Sequence, residues 1–136
     1  MKIYVLDASV VLTFLMGKNP SVEKKFTRIL KQVETKRAGL HSSHLLPLEV
    51  ANGLRYSLSD KALVDEVFQK FSNLPIKFSV FSPPQLLRIL RLSYLFGTSF
   101  YDTSYHFLAK LLKGTFLTSD AQHFRKAKEF GNIELL

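Results

Sequence analysis

The chain has 136 residues, with 19 Lys and Arg against 11 Asp and Glu, so its formal charge is +8 and its pI lies near 9.8. With 46% hydrophobic residues and a mean hydropathy of +0.06, it can bury roughly two-thirds of its unfolded surface in one layered core spanning residues 1–136, which excludes disordered, collagen-like and coiled-coil classes. The absence of Cys excludes a disulfide framework, a thiolate nucleophile and any Cys-based zinc or iron-sulfur site, and points to a reducing cytoplasm.

The apolar run from Ile3 to Met16 is broken by Asp7 and followed by no small-residue cleavage site, so it does not read as a signal peptide. No apolar stretch reaches the ~18 residues of a membrane span. The excess of positive charge calls for a polyanionic partner, whether nucleic acid, an acidic protein or a membrane surface.

In chain order, Lys2 to Leu6 is a β-branched and aromatic run that predicts a first strand, with a helix opening at Asp7-Ala8-Ser9. After the loop Gly17 to Ser21, Val22, Phe26, Ile29, Leu30 and Val33 recur at helical spacing on a basic segment. Arg37-Ala38-Gly39 ends that helix, and Leu40 to Ser42 is a second strand. Leu46, Val50 and Leu54 then repeat every four residues, with Pro47 in the first helical turn where a missing N–H is harmless. Ser59-Asp60 caps a further helix carrying Leu63, Val67 and Phe71, closed by Asn73-Leu74-Pro75.

Ile76 to Phe81 is a third strand, and Ser82-Pro83-Pro84 opens a helix expected to turn Leu86, Leu87, Leu90 and Tyr94 inward. Gly97-Thr98-Ser99 separates it from a helix over about Phe100 to Lys113. Thr115 to Leu117 is a fourth strand, Ser119-Asp120 starts a last helix ending near Gly131, and Ile133 to Leu135 adds an edge strand. Strands separated by helical crossovers imply an α/β fold: a three-layer α/β/α sandwich with a central parallel sheet of four to five strands.

Asp7 and Asp120 follow strands, while Glu49 and Asp102 lie in the first turns of helices. In an open parallel sheet the carboxyl ends of the strands and the helix N-termini share one edge, so acids distant in sequence can converge there. Each has an ordinary reading: Asp7 and Asp120 as N-caps, Ser99-x-x-Asp102 as a capping-box variant, Glu49 as a complement to a helix dipole. Capping does not explain why so acid-poor a chain places these four on one side of its sheet. Two carboxylates ~4 Å apart repel by about 4 kcal/mol at an effective dielectric near 20. A divalent cation relieves that repulsion, and an all-oxygen site suits Mg²⁺ or Mn²⁺ better than zinc. Ions held this way clamp a phosphate and activate water in phosphodiester cleavage.

Leu6-Asp7-Ala8-Ser9, Pro47-Leu48-Glu49-Val50-Ala51-Asn52, Tyr101-Asp102-Thr103-Ser104-Tyr105 and Leu117-Thr118-Ser119-Asp120 together resemble the ordered motifs of PIN-domain proteins, most of all the VapC-type toxins. The resemblance runs over essentially the whole chain. It implies a Mg²⁺- or Mn²⁺-dependent endoribonuclease whose acidic quartet is Asp7, Glu49, Asp102 and Asp120. Ser9 and Thr118 match the hydroxyl residues that support it, and Asn52 lies one turn beyond Glu49 as a further supporting residue. The likeness also implies an RNA substrate, a cognate antitoxin that inserts a cation among the carboxylates, and a homodimer. An RNA-binding or RNA-processing module without a toxin role is the alternative, favoured by charge alone. A receiver or a haloacid dehalogenase-like phosphatase fits less well, because Asp7-Ala8-Ser9 lacks the second Asp of the phosphatases and the receiver's paired acids and late Lys are missing. His41, His44, His106 and His123 lack zinc-ligand spacing with a partnering Glu and read as structural or solvated.

Overall fold

Five short parallel strands carry the architecture: β1 (Lys2–Leu6), β2 (Ala38–Ser43), β3 (Ile76–Ser79), β4 (Thr115–Thr118) and β5 (Ile133–Leu135). In this computed structural model, which describes residues 1–136, they lie in the order β3-β2-β1-β4-β5. The register sets Val5 of β1 against His41 of β2 on one side and Phe116 of β4 on the other. Seven α-helices make the crossovers: α1 (Ala8–Leu15), α2 (Pro20–Glu34), α3 (Leu46–Ser57), α4 (Lys61–Ser72), α5 (Pro83–Phe96), α6 (Phe100–Leu111) and α7 (Ala121–Ala127). A short 3-10 turn (Lys128–Phe130) follows α7. Helix α1 packs with α2, α3 and α4, whereas α5 packs on α6, which lies across β1, β2 and β4. The expected three-layer α/β/α sandwich is therefore observed, with all five strands in one parallel sheet.

The strands β1, β2 and β3 step toward one edge of the sheet, and the chain then returns to place β4 on the far side of β1. This reversal makes a topological switch point between the carboxyl ends of β1 and β4, where open α/β sheets leave a crevice. Beneath it, Val5, Leu6, Leu40, Phe116 and Leu117 from the strands pack with Phe26, Val50 and Leu108 from the helices in one core cluster. Asp7 and Asp120 thus follow strands anchored in this core, while Glu49 and Asp102 enter the crevice from the first turns of α3 and α6.

Gly114 lets β4 approach β1, because a Cβ there would stand 2.6 Å from the Ile3 carbonyl oxygen and 2.9 Å from Ile3 Cγ2. Gly53 faces a different neighbour, the mobile end of Leu12, whose Cδ1 would lie 2.5 Å from an added Cβ and can rotate away. Urea unfolding should report Gly114→Ala as destabilised by about 2 kcal/mol and Gly53→Ala by less than about 1 kcal/mol. Equal losses for the two would refute the backbone-clearance role of Gly114.

Ala38 and Gly39, expected to end the second helix, instead open β2, because α2 already stops at Glu34, and two further elements differ from the sequence reading. The third strand ends at Ser79, not Phe81: Val80 is exposed, and Phe81 turns into the core ahead of the Ser82 and Gln85 capping box that starts α5. Helix α5 does not turn Leu86, Leu87, Leu90 and Tyr94 inward; Ile89 and Ser93 are its buried positions, and Tyr94 is 83% exposed. The apolar arc of this helix is wider than the narrow side it lays on α6, so most of the leucines remain outside.

Candidate active site

Asp7 is the innermost acid, only 3% exposed directly after β1. Its Oδ1 accepts from the Ser9 hydroxyl at 2.6 Å and from the Val10 amide at 2.9 Å, and its Oδ2 accepts from the Thr118 hydroxyl at 2.6 Å. Thr118 also accepts the Asp120 amide at 3.0 Å, and Ser9 accepts the Ser119 amide at 3.1 Å. Ser9 and Thr118 therefore tie the ends of β1 and β4 together through one carboxylate. Burial outweighs these donors and pushes the Asp7 carboxyl up to about 6, with the charge of Asp102 adding to the rise.

Glu49, in the first turn of α3, accepts the Tyr105 hydroxyl on Oε1 at 2.5 Å. Burial raises its carboxyl above the ordinary range, the Tyr105 bond opposes that rise, and Asp102 adds to it. Asp102, in the first turn of α6, is raised by burial and by the charge of Asp120. Its capping-box reading fails in one direction: the Ser99 hydroxyl accepts the Asp102 amide at 3.0 Å, but no hydrogen bond returns from the Ser99 amide to the carboxylate. Asp120 caps α7 through Oδ1, which accepts the Gln122 and His123 amides at 3.0 and 3.1 Å, leaving Oδ2 free of hydrogen bonds.

All four acids thus stand at the same sheet edge, and Asp102 is the one whose field reaches Asp7 and Glu49 while feeling Asp120. Asp102 and Asp120 share a depression of about 190 Å³ with Ser99, His123 and Lys126. The cluster is nonetheless open, for no three acidic or histidine side chains stand close enough to ligate one ion directly. Local bonds explain the spacing: Asp7 is held by its three donors, Glu49 by Tyr105 and Asp120 by its own helix. The all-oxygen chemistry of these donors suits Mg²⁺ or Mn²⁺, since Mg²⁺ ordinarily keeps several waters and takes only one or two carboxylates.

Asn52 is exposed on α3 and makes no side-chain hydrogen bond to the cluster. The sequence reading missed Tyr105 as a partner of Glu49; it lies in α6 one turn beyond Asp102, its ring fully buried against Phe116. Burial and the charges of Glu49, Asp7 and Asp102 keep its phenol protonated and so a donor. Tyr105→Phe should raise the Glu49 carboxyl further and lower cleavage about tenfold, while altering stability by only ~1 kcal/mol. Side-chain carboxyl NMR titration of Glu49 checks this, and an unmoved Glu49 would remove the positioning role. His106 and His123 are struts: His106 Nε2 donates to the Gly131 carbonyl at 2.6 Å, so Nδ1 is left to accept from His123 Nε2 at 3.3 Å. Burial pushes His106 down to about 4, leaving it neutral.

The fold and this edge define a parallel α/β domain with four acids, two from strand ends and two from helix N-termini, around a switch point. The PIN domain family profile matches residues 4–129, and the chain belongs to that family. The structure resembles PAE2754 from Pyrobaculum aerophilum at 22% identity and a TM-score of 0.66, covering 92% of this chain and 84% of that one. It also resembles VapBC2 from Rickettsia felis, solved bound to a DNA fragment from their promoter, at 15% identity and a TM-score of 0.69, covering 98% and 97% of the two chains. No match was found among curated proteins.

Proposed function

We propose that the chain is a Mg²⁺- or Mn²⁺-dependent endoribonuclease, acting as the toxin of a toxin–antitoxin pair. The observation that carries this reading is the coupling of Asp7, Glu49 and Asp120 through Asp102 at the crevice between β1 and β4. When bound, such an ion supplies a more acidic water and a positive charge at the scissile phosphate. Asp7 would hold it from a carboxylate fixed in one rotamer by Ser9, Val10 and Thr118. Glu49, Asp102 and the free oxygen of Asp120 would complete the acceptors around its waters, with Tyr105 keeping Glu49 oriented. The basic remainder of the chain, in which Lys70 with Glu66 is the single ion pair, leaves its other Lys and Arg side chains available to phosphates.

The resemblance to VapBC2 from Rickettsia felis supports an antitoxin partner for this chain. A cation from that partner placed among the acids would substitute for the ion's charge. Exposed apolar residues of α5, including Leu87, Leu90, Tyr94 and Leu95, suit a homodimer contact. No helix is long and apolar enough to cross a membrane. An RNA-binding or RNA-processing role without toxicity is the second reading, supported by the unpaired basic surface.

RNA incubated with the protein and Mg²⁺ should be cleaved, and EDTA should abolish the cleavage. Because burial pushes the Asp7 carboxyl up to about 6, protons would compete with the ion below that value, and the rate should fall about tenfold per pH unit at lower pH. A rate independent of both EDTA and pH would remove the metal assignment. Growth arrest on expression, relieved by the product of an adjacent reading frame, separates the toxin from the processing reading.

A further inference from the structure

Away from the acidic edge, a cavity of about 600 Å³ with a mixed lining lies between α5, α6 and the 3-10 turn. Its floor is apolar, made by Leu92, Phe107, Leu111 and Phe130, and its rim carries Arg88, Arg91 and Lys110 with no acidic residue. None of these cations has a carboxylate within 4.0 Å, since the one ion pair of the chain is Lys70 with Glu66. Arg88 and Lys110 are nonetheless held in place. The Arg88 guanidinium lies 5.5 Å from the centre of the Phe107 ring, and Lys110 Nζ lies 4.9 Å from that of Phe130 while donating to the Phe130 carbonyl at 2.5 Å.

Three converging cations without an anion would repel one another unless a multiply charged ligand met them, and planar guanidinium groups match phosphate oxygens two at a time. Phe107 is buried beneath Arg88 and Lys110 lies over the Phe130 ring, so the aromatic floor positions these two cations and leaves phosphate recognition to the charged rim. Lys110 is eight residues beyond Asp102 on α6, about 12 Å along the helix at ~1.5 Å per residue, so one RNA strand can touch both places. We propose that this cavity binds the backbone of the RNA strand, holding one phosphate among Arg88, Arg91 and Lys110. The inference rests on the ribonuclease reading for its choice of RNA.

The test uses the full chain carrying Asp7→Asn, so that RNA is bound without turnover, and a short fluorescein-labelled oligoribonucleotide read by anisotropy. Adding Arg88→Gln and Arg91→Gln, both exposed, should weaken Kd about tenfold or more and flatten its salt dependence. Lys24→Gln with Lys31→Gln on α2 removes the same charge and should change Kd less than about twofold. A 4-thiouridine oligonucleotide should crosslink to a peptide of α5, α6 or the 3-10 turn. Equal losses from the two pairs, crosslinks confined to other segments, AMP binding as tightly as the oligonucleotide, or tighter binding of an acidic peptide than of RNA would each overturn the proposal. Cleavage by the otherwise wild-type chain separates the two claims. If it occurs while the Arg pair changes neither Kd nor KM, the pocket falls and the nuclease stands; if it never occurs but binding depends on the pocket, the nuclease falls and the pocket stands.

Discussion

Asp7→Asn is expected to abolish RNA cleavage, by about 10³-fold or more, and at the same time to stabilise the protein at neutral pH. The ordinary Asp carboxyl ionises near 3.8, whereas this buried one is pushed up to about 6. Between those values the folded state binds more protons than the unfolded state, so stability falls as pH rises through the window and stays reduced above it. Two pKa units correspond to about 3 kcal/mol as an upper figure. Asn keeps an acceptor for Ser9 and Val10, and the Thr118 hydroxyl can rotate to accept from the new amide. A net gain of ~1–2 kcal/mol, or roughly 4–8 °C in Tm, is therefore expected at pH 7.5, shrinking toward zero by pH 4. Thermal unfolding at the two pH values checks it, and a variant less stable than wild type at pH 7.5 would contradict the picture of a strained, function-bound carboxylate.

Asp102→Asn should lower cleavage by about 10²–10³-fold and leave a second trace that a merely structural residue would not. Its charge helps to raise both Asp7 and Glu49. With that charge gone, both carboxyls should titrate lower, and the acidic limb of the pH–rate profile of any residual activity should move to lower pH. Mn²⁺ binding followed by calorimetry should weaken in parallel. Asp65→Asn, on an exposed position of α4, should do none of these things. Retained Mn²⁺ affinity in Asp102→Asn would remove this residue from the set proposed to hold the ion.

The acids themselves were legible because a carboxylate just after a strand or in a first helical turn has its place fixed by local geometry. Asp7 and Asp120 are indeed caps, yet the cap uses only Oδ1 of Asp120, and Asp7 is bonded across the sheet as well. A side chain that caps a helix can thus also bond across the sheet. The role of Tyr105 was not legible, since its partner Glu49 lies 56 positions away and nothing in a helical repeat marks which buried tyrosine will meet a carboxylate. Helix α5 misled for a related reason: its leucines recur at core spacing, but which arc of a helix is covered depends on the neighbour it packs against.

Sequence alone determined the alternation of strands and helices, the parallel sheet that this alternation requires, and the edge on which each acid would stand, because these follow from backbone propensity and from chain connectivity. Only the tertiary structure decided which donors grip Asp7 across 111 positions, that Asp102 is the charge common to the cluster, how open the acids remain, and that Arg88, Arg91 and Lys110 line one cavity. Those features depend on distances between separate elements, and such distances are set by how whole helices and strands pack and not by any local run of residues.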